Sequence, residues 1–176
     1  MSTIKTTNIT HGSNSGTANM VLASDGTITF AKPLDNTPIW IVKPTSSGNV
    51  DSSTATKVVW GTELLDTDSA FASDKFTVPA GKAGAYFIRV QVCMDDIEDQ
   101  KELEIKVYKN GSEELRSYSY ASTDNQINQI HEHSSVHSLA AADYLEIYVL
   151  HGTSGTQGYL ADRTRWEGFR LAGYNP

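Results

Sequence analysis

Four carboxylates fall within five residues at Asp95-Asp-Ile-Glu-Asp99. Hard cations such as Ca2+ take several oxygen ligands from a short loop. Asp95, Asp96, Glu98 and Asp99 are therefore the candidate metal ligands. Their spacing matches no EF-hand, and no glycine stands at the bend, so a solvated acidic loop is the plainer reading. A second cluster is His131-Glu-His133 with His137. On a strand, His131 and His133 share a face and could approach one transition metal. Nothing else completes that set, and solvated strand histidines are the default. Apart from such a Ca2+, no cofactor is expected.

Catalytic signatures are missing. Pro79-Ala-Gly-Lys82 looks like part of a phosphate loop, but that motif needs Gly at 76 and Ser or Thr at 83. Phe76 and Ala83 stand there. The sequence has no G-x-S-x-G and no H-E-x-x-H. Paired carboxylates could serve a glycosidase, but no insertion is long enough to build a cleft. The chain reads as a non-enzyme. Asn8-Ile-Thr10 and Asn110-Gly-Ser112 fit the glycosylation acceptor pattern; with no secretion signal in view, both read as chance.

The elements that must position these groups read as strands. The longest period-2 run is Tyr86 to Met94, with Tyr86, Ile88, Val90, Val92 and Met94 on one face. It predicts a central strand with one buried face. Phe76 to Val78 precedes it, across a turn at Pro79 to Gly84. Glu102 to Tyr108 alternates likewise and meets Lys109-Asn-Gly111, a strong type I′ hairpin signal. Further strands are expected at Ile39 to Val42, Thr56 to Trp60, Glu114 to Ala121, Ile127 to Leu139, Tyr144 to Leu150 and Arg165 to Leu171. Thr45 to Thr54, Gly61 to Asp74 and His151 to Gly158 read as loops. No segment has a helical period. Short strands at this spacing predict an antiparallel sandwich.

The chain has 176 residues, enough for one domain with a short appendage. Its 14 Lys and Arg against 21 Asp and Glu leave a net charge of −7, which argues against a nucleic-acid groove. The single cysteine, Cys93, excludes an intrachain disulfide and reads as a small buried residue. No run approaches the ~18 apolar residues of a membrane span. Residues 1–34 are set apart as a leader and 35–176 as the main domain. Seventeen of the first thirty residues are Thr, Ser, Asn or Gly, too polar a mixture to bury its own core. Strand signals persist at Met20 to Leu22 and Thr27 to Phe30. Such a segment is expected to order by docking on other chains.

Five motifs in order carry a resemblance. They are Phe76-Thr-Val-Pro, Gly84-Ala-Tyr-Phe87, Val107-Tyr-Lys-Asn-Gly111, Ala142-Asp-Tyr-Leu-Glu146 and Trp166-Glu-Gly-Phe-Arg-Leu171. The series resembles the globular head domain of complement component one, subcomponent q, in the tumour-necrosis-factor-like jelly-roll superfamily. It covers about residues 39 to 173. Ala142 replaces the usual Gly, Trp166 replaces Phe, and Phe87 follows Tyr86 without the usual spacing. The resemblance implies an all-β antiparallel jelly roll of about ten strands and a homotrimer. There is no collagen-like stalk, so the complement role is not carried over.

The trimer also has support from the residues. Ile39 and Ile41 are backed by Trp40 and Val42. Leu145, Ile147 and Val149 are backed by Tyr148 and Leu150, and Phe169 and Leu171 by Trp166. A monomeric sandwich should be polar outside, and a second apolar face marks one covered by another subunit or, more plainly, by loops of the same chain. Trp40, Tyr108, Tyr148, Leu150 and Trp166 are the expected trimer-interface residues.

Residues 7 to 30 look like the polar leader that precedes such heads in structural proteins of marine tailed bacteriophages. The resemblance implies a virion protein, exposed on the particle and held to other virion proteins through residues 1–34. Two roles fit: attachment to a host-surface glycan or protein from a tail or fibre, and decoration of the capsid. A bacterial surface adhesion module is a third.

Overall fold

The structure is a computed structural model, and it describes residues 8–9, 20–22, 25, 28–30, 36–122 and 128–173. The chain divides into two compact units, Met1–Asp35 and Asn36–Pro176. The first holds an antiparallel sheet of β1 (Asn8–Ile9), β2 (Met20–Leu22) and β3 (Ile28–Phe30), in that order. Met20 pairs with Phe30 and Leu22 with Ile28.

The second unit is all β among its described residues. Its strands are β4 (Ile39–Lys43), β5 (Gly48–Asp51), β6 (Thr56–Lys57), β7 (Thr62–Asp66), β8 (Phe71–Ala72), β9 (Lys75–Thr77) and β10 (Gly84–Met94). There follow β11 (Glu102–Lys109), β12 (Ser112–Tyr120), β13 (Gln129–Leu139), β14 (Tyr144–His151), β15 (Thr156–Tyr159) and β16 (Arg165–Gly173). One sheet runs β5-β15-β10-β16-β4-β7, with β13 also paired to β10; the other runs β12-β11-β14-β9-β8, with β6 also paired to β14. All the pairings are antiparallel.

β10 is central, as its alternation predicts. β13 pairs with its whole length on one edge, and β16 and β15 share the other. Tyr86, Ile88, Val90, Val92 and Met94 all face the core. Cys93 is buried too, and burial pushes its thiol pKa up. Three aromatic strand residues meet beneath β10. Trp40 stacks on Phe76 with ring centroids 3.8 Å apart, and Trp166 meets Trp40 edge-on at 5.9 Å. The Tyr86 hydroxyl donates to the Lys82 carbonyl, and burial pushes its pKa up to about 12.

Three segments read as loops contain strands. β5 lies within Thr45 to Thr54, β15 begins within His151 to Gly158 and runs on to Tyr159, and the two pair with each other. Their residues are polar and rich in glycine, so neither has a period of its own; partnership makes them strands. β7 and β8 fall in the acidic stretch read as irregular. In contrast, only Thr56 and Lys57 of the expected Thr56 to Trp60 strand pair with a neighbour.

The β11–β12 hairpin turn and the turn that crosses from β13 to β14 lock together. Asn110 and Gly111 have φ of 52° and 81°, as the type I′ signal requires. The Asn110 side-chain amide donates to Asp143 at 2.8 Å, and its oxygen accepts from the Tyr144 N–H at 2.9 Å. Burial opposes the Asp143 charge, but bonds from Asn110, the Ala140 N–H and Lys109 outweigh it and lower its pKa. Beside Asp143, Ala142 sits at φ 70°, where a Cβ costs about 1–2 kcal/mol. Glycine relieves that cost but has a more flexible unfolded chain. Ala142→Gly is expected to stabilise the fold by about 0.5–1 kcal/mol, a rise in Tm of about 2–3 °C by calorimetry. An unchanged or lower Tm would refute it.

Candidate functional site

Side chains on the outer face of β4, β16, β10 and β13 form a row. Ile39 pairs with Phe169, Phe169 with Phe87, and Phe87 with Val136. Since cross-strand partners share a face, four apolar side chains cross four strands on the side away from the core. The Phe87 and Phe169 rings are 5.4 Å apart. Phe169 remains 38% exposed and Val136 61%. Leu171 and Leu65 extend the exposed apolar area. Beside this row, Ile39, Ile41, Phe87, Glu167 and Phe169 line a cleft of about 190 Å³.

The next two rows are charged. Arg89 binds Glu132 and also reaches Glu167 at 3.1 Å and Gln91 at 3.0 Å. Arg165 meets the other oxygen of Glu167 at 2.7 Å. Burial works against the Arg89 charge, but Glu167 and Glu132 outweigh it and raise its pKa. Two cations face two anions, so this part of the face is internally neutralised. Such a surface can be covered without leaving an unpaired charge.

The expected interface residues do not share a surface. Trp40 and Trp166 are 0% exposed and lie between the sheets, so neither can touch a second chain. The expectation had β4 facing the wrong way. Ile39-Trp-Ile-Val42 is apolar on both faces, so alternation cannot choose between them. Packing chooses: Phe76 stacks on Trp40, and Gly168, its cross-strand partner, leaves room for the indole. Tyr108, Tyr148 and Leu150 lie on the other sheet and stay partly exposed. The Tyr108 and Tyr148 rings are 4.3 Å apart. Phe87 and Val136 were missed as surface residues. Phe87 carried a usable signal, an aromatic on the polar side of the most regular strand.

The acidic loop does not gather into a metal site. Among the described residues, no group of three or more His, Cys, Asp or Glu side chains could hold a metal ion. Glu98 turns instead to Ser154, accepting from its hydroxyl at 2.5 Å and its N–H at 3.4 Å. The Ser154 hydroxyl, then its N–H, hold the Glu98 carboxyl below its ordinary pKa. Asp99 accepts from Gln100, and Asp96 is exposed at φ 48°.

The histidines form a polar seam between the edge strands β12 and β13. His131 bonds Ser117 at 3.0 Å. Ser135 bridges His133 and His137 at 2.9 and 2.7 Å, and His137 Nδ1 lies 2.8 Å from Glu114. Burial lowers the pKa of His131; burial, then the neighbouring His137 and His131, lower that of His133. The unfolded chain therefore binds more protons than the fold just below the ordinary value of 6.5. Stability is full above that pH and is lost as pH falls through the lowered folded values. Urea midpoints measured from pH 7.5 to 5 should fall, and His131→Gln/His133→Gln should flatten the curve. An equally steep curve in the double variant would remove the seam as the cause.

No family model matches this sequence, and no curated protein matches it. Solved structures do share its fold. The globular domain of zebrafish complement 1qA has a TM-score of 0.57 at 13% identity, covering 78% of this chain and 100% of that one. Murine APRIL gives 0.55 at 15% identity, covering 76% and 98%. Eiger TNF from S. frugiperda gives 0.54 at 15% identity, covering 81% and 97%. The fold class is the TNF-like jelly roll, which complement heads and TNF-family ligands share. Among the described residues, no helix is long and apolar enough to cross a membrane.

Proposed function

We propose that the chain is a non-enzymatic, homotrimeric head carried on a bacteriophage particle, where it attaches the particle to a host surface. The observation that carries the assembly is the row Ile39, Phe169, Phe87 and Val136, apolar and half exposed on one face of a sheet. Three copies of this face, with its neutralised charged rows, bury one another around a three-fold axis. The particle is supported by the sequence of residues 7 to 30, which resembles phage leaders. Residues 1–34 hold the trimer to other virion proteins, and the loops of the head reach the host.

The test has two parts. Light scattering on the intact chain should give three times the 19.2 kDa chain mass; a monomer at micromolar concentration sinks the assembly. Gold-labelled antibody should then mark the tail end of intact particles, and free trimer should block adsorption. Label spread over the head at hundreds of copies replaces attachment with capsid decoration. No label on any particle removes the virion reading.

A further inference from the structure

Another cavity lies elsewhere in the head, where the connection after β4 meets β15. Its volume is about 270 Å³, and it is lined by Thr45, Ser46, Ser47, Gly48, Val59, Gly61 and Tyr159. No ionisable acid or base other than the Tyr159 phenol is among them. A charged ligand would lose water there and gain no counter-charge. The lining suits a neutral molecule with many hydroxyl groups.

The polar groups are oriented for that task. Tyr159 Oη accepts from the Val59 N–H at 3.3 Å, so its own proton is committed to no acceptor among the described residues. Ser47 Oγ likewise accepts from the Ala161 N–H at 3.4 Å, which leaves its proton for another partner. Thr45 and Thr62 share one hydrogen bond at 3.1 Å. A hydroxyl both donates and accepts, so these groups match the two-way bonding of a sugar. Val59 is 57% exposed and supplies an apolar wall for the C–H face of a ring. The two glycines let Tyr159 and Thr45 set their hydroxyls close against the backbone. A Cβ at Gly48 would lie 2.2 Å from Tyr159 Oη, and one at Gly61 2.2 Å from Thr45 Oγ1.

We infer that this cavity binds a single neutral sugar residue of a surface glycan. The inference rests on the attachment reading and names its ligand class. The volume is below the roughly 300–1,000 Å³ of drug-sized pockets, so one ring fits. With few contacts, one site binds at roughly millimolar Kd. Three sites on one trimer gain avidity, about 10²–10⁴-fold when all can engage.

The test is NMR on the intact chain with glucose, galactose, mannose and N-acetylglucosamine, each at millimolar concentration. At least one should show saturation transfer and shift the Val59 and Gly61 amides. Ser46→Tyr, which fills the cavity from an exposed position, and Val59→Glu, which charges its wall, should each reduce binding at least tenfold. Circular dichroism confirms that both stay folded. Failure of all four sugars to shift those amides overturns the inference, as does binding unchanged in both variants. Sialic acid binding as well as the neutral sugars overturns the argument from the uncharged lining. Sugar binding by a chain that labels no particle leaves the cavity standing and removes only the virion reading.

Discussion

Phe169→Glu is expected to turn the proposed trimer into folded monomers. In a single chain Phe169 is already 38% exposed, so a carboxylate there stays in water and the monomer loses little. In the proposed assembly the same carboxylate would be buried beside Phe87 and Ile39, its cross-strand partners. Burying an ion without a partner costs several kcal/mol, and the cost recurs in each of three copies. Only the exposed 38% of Phe169 is left to bury on assembly, so the lost phenyl burial adds about 1 kcal/mol per copy. Arg89 cannot rescue the charge, because Glu132 and Glu167 already hold it. Light scattering should fall from three chain masses to one, with an unchanged far-ultraviolet spectrum. Phe169→Leu should remain trimeric. A Phe169→Glu protein that stays trimeric would place the interface elsewhere, and the partly exposed Tyr108, Tyr148 and Leu150 on the other sheet would be examined next.

Gly168→Ala is expected to produce a large loss of stability from a single added carbon. A Cβ at this position would lie 2.3 Å from Trp40 Cζ2, 2.4 Å from Cη2 and 2.8 Å from the Phe87 carbonyl oxygen. The indole has little room to retreat, since Phe76 is stacked on it and Trp166 packs nearly perpendicular to it. The carbonyl belongs to β10, held in the middle of the sheet. Overpacking of this kind costs about 2–3 kcal/mol, or about 5–10 °C in Tm. A double-mutant cycle separates the cause. In a Trp40→Phe background the smaller ring makes room, so Gly168→Ala should cost less than half as much. Equal costs in both backgrounds would show that the indole is not the obstacle.

Sequence pattern carried the fold where one face of a strand was polar. Tyr86 to Met94 and Glu102 to Tyr108 alternate clearly, and both strands face the core as their periods require. Asn110-Gly111 set its own turn because only residues tolerating positive φ suit it. Pattern failed where both faces were apolar, and β4 is the case. Its orientation is settled by Phe76 and Gly168, far away in the sequence, and the candidate interface inherited the error. Pattern also failed where no face was apolar. Gly48–Asp51 and Thr156–Tyr159 are strands because each supplies the other's hydrogen bonds. The surface row was visible only in part. Its members Ile39, Phe87, Val136 and Phe169 come from four strands, and nothing in their spacing announces that register aligns them.

The pairing of β4 with β16 gives the head a handle and a tip. Ile39 opens β4, and its partner Phe169 lies near the close of β16; Lys43 and Arg165 mark the opposite end. The chain thus enters and leaves this sheet on the same side, while Thr45 to Gly48 and Tyr159 lie toward the other. Pull transmitted through either terminus of the head loads one end of two adjacent strands. A fluorescent protein fused after Gly173 would sit by the handle, leaving the cavity at the tip unobstructed. A label engineered into the turn at Ser46 would instead report directly on what the tip touches.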